Sequence, residues 1–321
     1  MWTELAAILG GLVLLVFTAD RFVAGAAALA HNFGVSTLVI GLTIVGFGTS
    51  APEILVSGMA ALGGNPGLAI GNAIGSNIAN IGLILGLTAI IVPLTIASTT
   101  LRREYPIVVG VTLLSLLLLI DGELGFHDGL ILLLLLFVVL FYMWRVASAG
   151  ADEVLAAEIE SELPEEMPTA KAILWLLLGL AGLLVASKML VWGAVGIAVR
   201  LGVSDLVIGL TIVALGTSLP ELAASIASAL KNEHDLAIGN VLGSNLYNLL
   251  AVLSIPGLVA AGPVSSEVLT RDMPVMLVLT LAIGGVAWSL KGTHRISRVG
   301  GVLLLMAYSG YQGWIITSVL R

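Results

Sequence analysis

Cysteine is absent from the 321 residues. Its absence excludes disulfide frameworks, thiolate metal sites and cysteine nucleophiles. Histidine is scarce. His31, His127, His234 and His294 are the only four, and none forms an HExxH pair, so zinc hydrolysis lacks its ligands. Charge is thin too. Asp, Glu, Lys and Arg make up 10% of the chain, against about 25% in soluble domains. This excludes a soluble enzyme, a disordered tail protein and a basic nucleic-acid binder. What is abundant is hydrophobic: 59% of residues, with a mean hydropathy of +1.12. The apolar runs are long and unbroken, unlike the alternating strands of a barrel, so the class is a helical integral membrane protein.

The net charge of −7 is local. Asp152, Glu153, Glu158, Glu160, Glu162, Glu165 and Glu166 stand together without a Lys or Arg among them. Without them the chain is neutral, so the acidity belongs to one polar connector.

The hydropathy pattern predicts ten spans, at about 5–30, 38–62, 68–92, 105–121, 128–147, 171–198, 206–230, 236–261, 273–290 and 298–319, each long enough for a hydrocarbon core of roughly 30 Å. Met1 to Gly11 has no positively charged segment and reads as the first span, not as a cleavable signal. Lys and Arg in alternate loops set the orientation. Arg102, Arg103, Arg145, Lys171, Lys231, Lys291, Arg295 and Arg298 lie on one side; Arg200, Arg271 and Arg321 lie on the other. The richer side is expected in the cytoplasm of a plasma (inner) membrane, with both termini outside and the acidic connector inside.

An internal repeat dominates the pattern. At an offset of 168, residues 34–80 fall on 202–248 without a gap, with 28 identities in 47 positions. Gly34–Glu53 meets Gly202–Glu221, and Leu68–Asn80 meets Leu236–Asn248. Five spans per half is an odd number, so the second half enters the membrane from the opposite side. Such inverted repeats are expected of secondary transporters, with a site near the midplane between the halves. The expected organisation is a first five-helix repeat over 1–147, a connector over 148–170 and a second repeat over 171–321.

Each half carries GTSxPE inside a hydrophobic span: Gly48-Thr49-Ser50-Ala51-Pro52-Glu53 and Gly216-Thr217-Ser218-Leu219-Pro220-Glu221. Proline lacks an N–H, so Pro52 frees the carbonyl of Gly48 and Pro220 that of Gly216. The expectation is a discontinuous helix at both motifs, tolerable at membrane depth only where it lines a cavity or is buried in protein. Thr49, Ser50 and Glu53 share a helix face by their spacing. An isolated proline is more often an ordinary kink, and an isolated Ser or Thr more often bonds back to its own helix. Two ionisable residues at matching repeat positions inside spans point to function. The next span of each half carries GNxxGSNxxN. It sets Asn72, Ser76 and Asn80, and likewise Asn240, Ser244 and Asn248, in stripes of oxygen-bearing side chains. For a single Asn the plainer reading is polar glue between helices. Gly71 and Gly75, like Gly239 and Gly243, allow close helix approach. Together the four spans offer two carboxylates, four hydroxyls, amide oxygens and freed carbonyls, without His or Cys. That donor set suits the hard cations Na⁺, Ca²⁺, Mg²⁺ or Mn²⁺.

The paired GTSxPE and GSNxxN motifs resemble those of the calcium/cation antiporter superfamily, and within it the prokaryotic sodium/calcium exchanger branch. The resemblance spans essentially the whole chain. It implies Ca²⁺/Na⁺ antiport by alternating access, with the first and sixth spans sliding as gates. It implies Glu53 and Glu221 as central calcium ligands, and Thr49, Ser50, Thr217 and Ser218 lining the sodium and calcium sites. It also implies Ser76 and Ser244 at flanking sodium sites, Asn80 and Asn248 at the central cavity, and backbone carbonyls near Gly46 and Ala214. Many members of the family have aspartate where this chain has Asn248, so the site here holds two formal charges instead of three. The alternatives are a proton-coupled calcium exchanger, in which burial lets the two glutamates carry protons, and a cation channel, against which the inverted repeat argues. No Ser/His or His/Glu constellation lies in the spans, so no enzymatic activity is expected. The expected partners are the two ions and the lipid bilayer, with no nucleic acid, no obligate protein and no cofactor. Asp20 and Lys188, opposite in sign and 168 apart, are expected to be an ion pair or to snorkel. Asp121, Glu123, His127 and Asp128 read as a solvated turn.

Overall fold

The computed structural model describes residues 1–33, 46–96, 98–149, 167–287 and 294–319. The acidic run at 152–166 and the expected start of the second span, 38–45, lie outside the described residues. The described chain is almost wholly helical. In order run α1 (Trp2–Asn32), α2 (Gly46–Leu62), α3 (Pro66–Ile91), α4 (Ser98–Leu118), α5 (Phe126–Ala149) and α6 (Thr169–Leu201). Then follow α7 (Asp205–Thr217), α8 (Leu219–Leu230), α9 (His234–Val259), α10 (Val268–Asp272 continuing as Met273–Ala287) and α11 (Arg298–Val319). Among the described residues, seven helices are long and apolar enough to cross a membrane, and α7 with α8 makes a further span bent by 42°. The described part of α2 has 17 residues, and α4 carries Arg102, Arg103 and Glu104 in its second turn. This is a multi-pass helical membrane protein.

Local sequence explains where the helices start and stop. Pro66 opens α3, where its missing N–H costs no helical bond. Gly202 ends α6 in the left-handed conformation, at φ 65°. Ser204 then caps α7, its hydroxyl accepting from the Val207 amide at 3.4 Å.

α3 and α9 form the core. In each, 78% of the apolar window is buried, against 28% in α1 and in α6. Lipid is as apolar as leucine, so close packing holds such helices together more than hydrophobic burial does. Glycine supplies the closeness. A Cβ on Gly71 would lie 2.4 Å from the Leu206 carbonyl, and one on Gly209 would lie 2.5 Å from that of Leu68. α3 therefore lies backbone to backbone against α7.

α1 and α6 form an antiparallel pair outside this core. A Cβ on Gly25 would meet the Leu176 backbone at 2.5 Å, and one on Gly179 that of Phe22 at 2.5 Å. Glu4 and Arg200 clasp one end at 2.7 Å, and Asn32 donates to the Met167 carbonyl at 3.1 Å at the other. The outer stripe of Leu9, Val13, Phe17, Leu177, Val185 and Trp192 is exposed, as a bilayer-facing surface requires. Asp20 and Lys188 do not pair with each other. Asp20 lies 3.6 Å from Arg21, whose guanidinium also sits over the Phe17 and Trp175 rings. Lys188 is exposed on α6.

Two short antiparallel ribbons join the halves. β1 (Leu94–Thr95) pairs with β4 (Arg295–Ile296), and β2 (Glu123–Leu124) pairs with β3 (Gly262–Pro263). Beside them the Ile96 amide donates to the His294 carbonyl at 2.9 Å, and the Val264 amide to that of Gly122 at 2.8 Å. Ile96 and Val264 are themselves 168 apart. At the end of α10, Arg271 and Asp272 form a buried pair at 2.7 Å, and Tyr311 of α11 donates to the same carboxylate at 2.8 Å.

Candidate ion-binding site

The two GTSxPE motifs do not adopt the same backbone. In the second, Ser218 leaves the helical conformation (φ −83°, ψ 6°), and α7 and α8 part there. In the first, α2 runs from Gly46 to Leu62 with Pro52 inside it, so the expected break is absent from its described part. The missing proline donor is absorbed within a continuous helix. α1 leans on both motifs: a Cβ on Gly48 would meet Val23 at 2.2 Å, and one on Gly216 would meet Leu12 at 2.3 Å.

The motifs bring their polar groups together at the middle of the core. Glu53 and Glu221 are both fully buried. The Ser218 hydroxyl donates to Glu53 Oε1 at 3.4 Å, and Thr217 lies against the same carboxylate. Glu221 faces the charge of Glu53 and has Ser244 beside it. The Thr49 and Ser244 hydroxyls are 3.5 Å apart. Glu53 therefore sits among hydroxyls of the opposite half, and Glu221 beside Ser244 of its own half, which Thr49 of the other half approaches. Ser50, Ser76, Asn80 and Asn248 are buried in the same core. Gly46 is the first residue of α2. Ala214 is buried in α7, and its carbonyl accepts the Ser218 amide at 3.1 Å.

Many of these polar atoms have no hydrogen-bond partner among the described residues: Ser50 Oγ, Glu53 Oε2, Ser76 Oγ, Asn80 Oδ1, both carboxylate oxygens of Glu221 and both polar atoms of the Asn248 amide. Each such buried group costs about 1–3 kcal/mol in an apolar setting. A cation that takes lone pairs from the oxygens among them removes that cost where it binds. No cluster of three or more His, Asp or Glu side chains occurs among the described residues, so the two carboxylates set the charge of the cluster.

Both asparagine stripes end in wide turns. A π-helical segment begins at Asn80 and another at Asn248, 168 positions apart. Such bulges frequently mark functional sites. Sequence reasoning places Asn72 and Asn240 on these stripes without a role in the site, and passes over Ser57, Ser225, Asn77 and Asn245. In the structure Asn72 donates to the Glu53 carbonyl at 3.2 Å and to Ser57 Oγ at 2.9 Å. Asn240 donates to the Glu221 carbonyl and to Ser225 Oγ at the same two distances. Asn77 donates to the Asn245 carbonyl at 3.3 Å, and Asn80 to Asn245 Oδ1 at 3.1 Å. Ser57 and Ser225 are repeat mates with conserved identity across the two halves, and that match was the available signal.

A helical core with an oxygen-only polar cluster, shared between two halves, defines a membrane protein of the cation-antiporter class. The model of the sodium/calcium exchanger protein family matches residues 3–145 and 171–317, and the chain belongs to that family. The inner membrane protein YrbG of Escherichia coli is 40% identical over 97% of this chain and 95% of its own length. The sodium/calcium exchanger MaX1 of Methanosarcina acetivorans is 32% identical over 94% and 95%. Among solved structures, the sodium-calcium exchanger NCX_Mj soaked with Na⁺ and Sr²⁺ matches with a TM-score of 0.65, at 36% identity and 96% of each chain.

Proposed function

We propose that this protein exchanges Ca²⁺ for Na⁺ by alternating access across a plasma (inner) membrane, with its termini outside and its acidic connector, 148–170, inside. The observation that carries this reading is that Ser218 and Thr217 of the second half lie at Glu53 of the first, while Ser244 lies at Glu221 and 3.5 Å from Thr49 of the first half. Glu53 and Glu221 bind the calcium ion. Thr49, Ser50, Thr217 and Ser218 serve both ions, Ser76 and Ser244 serve sodium, and Asn80 and Asn248 line the cavity. The carbonyls of Gly46 and Ala214 complete the set. Two carboxylates neutralise one divalent ion, so the loaded site crosses the membrane centre without net charge, whereas the empty one is expensive to move. Sodium entering down its gradient competes for the same oxygens and releases calcium outward. The hydroxyls separate this reading from proton coupling, because a proton on a glutamate requires no ligand cage. In this reading the chain is two five-helix repeats, 1–147 and 171–321, whose first and sixth spans, α1 and α6, slide against the core as gates, and the connector is a solvated linker.

The test uses purified protein in liposomes. Na⁺-loaded vesicles diluted into sodium-free medium are expected to take up ⁴⁵Ca²⁺, whereas choline-loaded vesicles are not. Uptake driven by an acid interior and indifferent to sodium would overturn sodium coupling and establish the proton-coupled alternative.

A further inference from the structure

We propose that Asn72 is a positioning residue that turns the Thr217 hydroxyl of the opposite half into a cation ligand. The proposal rests on the ion site described under the proposed function. Asn72 is fully buried. One side of its amide faces the Glu53 main-chain carbonyl at 3.2 Å and Ser57 Oγ at 2.9 Å. A main-chain carbonyl can only accept, so the atom facing it must be the donor Nδ2. Ser57 in turn directs its own proton to the Ala69 carbonyl at 3.5 Å, which leaves its oxygen free to receive the Asn72 amide. The orientation of Asn72 is thereby fixed, and its Oδ1 points the other way, to Thr217 Oγ1 at 3.1 Å.

An amide oxygen only accepts, so the Thr217 proton must point at Asn72. Two acceptors compete for it, the Ala214 carbonyl, farther away at 3.4 Å, and the Glu53 carboxylate, which also lies within hydrogen-bonding reach of Thr217. With its proton committed to Asn72, Thr217 cannot donate to the neighbouring Glu53 carboxylate. It presents lone pairs instead, on the side where that carboxylate lies. A hydroxyl and a carboxylate that both offer lone pairs to one space repel each other unless a cation sits between them. Asn72 thus decides whether Thr217 satisfies Glu53 by donation or binds the ion alongside it. Asn72 also ties the turn that bears Glu53 to the hydroxyl-bearing turn of the other half. Asn240 holds its amide to Glu221 and Ser225 at the same 3.2 and 2.9 Å, so the anchoring of the amide is built twice.

The experiment is a double-mutant cycle in proteoliposomes, with Asn72→Ala, Thr217→Val and the double variant, each read as the calcium concentration for half-maximal uptake. Losing one oriented ligand is expected to raise that concentration about tenfold in either single variant, as for one hydrogen-bonding group. The double variant is expected to be no worse than the worse single one, because both remove the same ligand. The calcium-induced rise in melting temperature of the detergent-purified protein is expected to shrink in the same order. Multiplying effects in the double variant, or an unchanged half-saturation in Asn72→Ala, would overturn the proposal. If Asn72→Ala does not yield folded protein, Ser57→Ala takes its place. It removes one anchor of the amide and is expected to give a smaller rise that again does not multiply with Thr217→Val; multiplication there also overturns it. Glu53→Gln runs alongside. Wild-type flux in that variant would sink the ion site itself, whereas loss of flux with multiplying Asn72 and Thr217 effects would sink only the role of Asn72.

Discussion

At the scale of single residues, the proposed exchange rests on Glu53 and Glu221. Both are fully buried among helices, and three of their four carboxylate oxygens have no hydrogen-bond donor among the described residues. Serine and threonine hydroxyls are too few to stabilise two adjacent charges, and in the proposed exchange a divalent cation or two monovalent ones do so. Glutamine in place of either glutamate keeps the shape and one carbonyl oxygen but removes the charge. Removing one partner of a buried charge cluster costs about 3–5 kcal/mol, enough to lower affinity by more than about a hundredfold. Glu53→Gln and Glu221→Gln are each expected to bring sodium-driven ⁴⁵Ca²⁺ uptake to the level of empty liposomes. Uptake at the wild-type rate in either variant would remove that residue from the site.

At the scale of helices, close approach positions these residues. Gly71 and Gly209 put α3 and α7 backbone to backbone, which brings Asn72 within reach of Thr217. A methyl group at Gly71 would need the Leu206 carbonyl, 2.4 Å away, to retreat. Such overpacking typically costs about 1–3 kcal/mol. Gly71→Ala is therefore expected to lower the melting temperature of the purified protein and reduce transport, whereas Gly110→Ala, at an exposed position of α4 where an added Cβ meets nothing within 4 Å, is expected to change neither; equal melting temperatures for the two variants would refute the packing argument. How far the helices were legible in the sequence follows from the same physics. Apolar runs and the 168-residue offset revealed the helices, the buried glutamates and the polar stripes, because composition and spacing encode them directly. The different backbones at Pro52 and Ser218 were not legible, since nearly identical motifs take different shapes only through their tertiary surroundings. Nor was the separation of Asp20 from Lys188. α1 and α6 run antiparallel, with Gly11 against Ala186 and Leu190. Lys188 therefore lies level with Gly11, nine residues from Asp20 and about 13 Å away along the axis at 1.5 Å per residue. Repeat mates in such a pair sit on opposite sides of its centre. The orienting bonds of Asn72 escaped for a related reason: spacing puts the residue on a stripe, but only the packed partner shows which way its amide turns.

At the scale of the whole molecule, the two ribbons define its ends. The 21 residues of α4 separate β1 from β2, a distance of about 30 Å as helix. The β1–β4 and β2–β3 ribbons therefore lie at opposite ends of the bundle. β1 and β3 are repeat mates, since Leu94 and Thr95 fall on Gly262 and Pro263 at an offset of 168. Corresponding segments of the halves thus face opposite sides, as an inverted repeat demands. The β1–β4 end carries Arg102, Arg103, Arg295 and Arg298, which by the positive-inside rule belongs in the cytoplasm. The lack of native cysteine makes this directly measurable, because every introduced thiol is the only one. Glu123 and Ser297 are exposed residues, one in β2 and one just after β4. In intact cells expressing single-cysteine variants, Glu123→Cys is expected to react with a membrane-impermeant maleimide, and Ser297→Cys to react only after permeabilisation. The reverse pattern would invert the orientation while leaving the repeat intact. Labelling of both variants from the same side would contradict the placement of the two ribbons at opposite membrane faces, and with it the inverted arrangement on which the proposed alternating access depends.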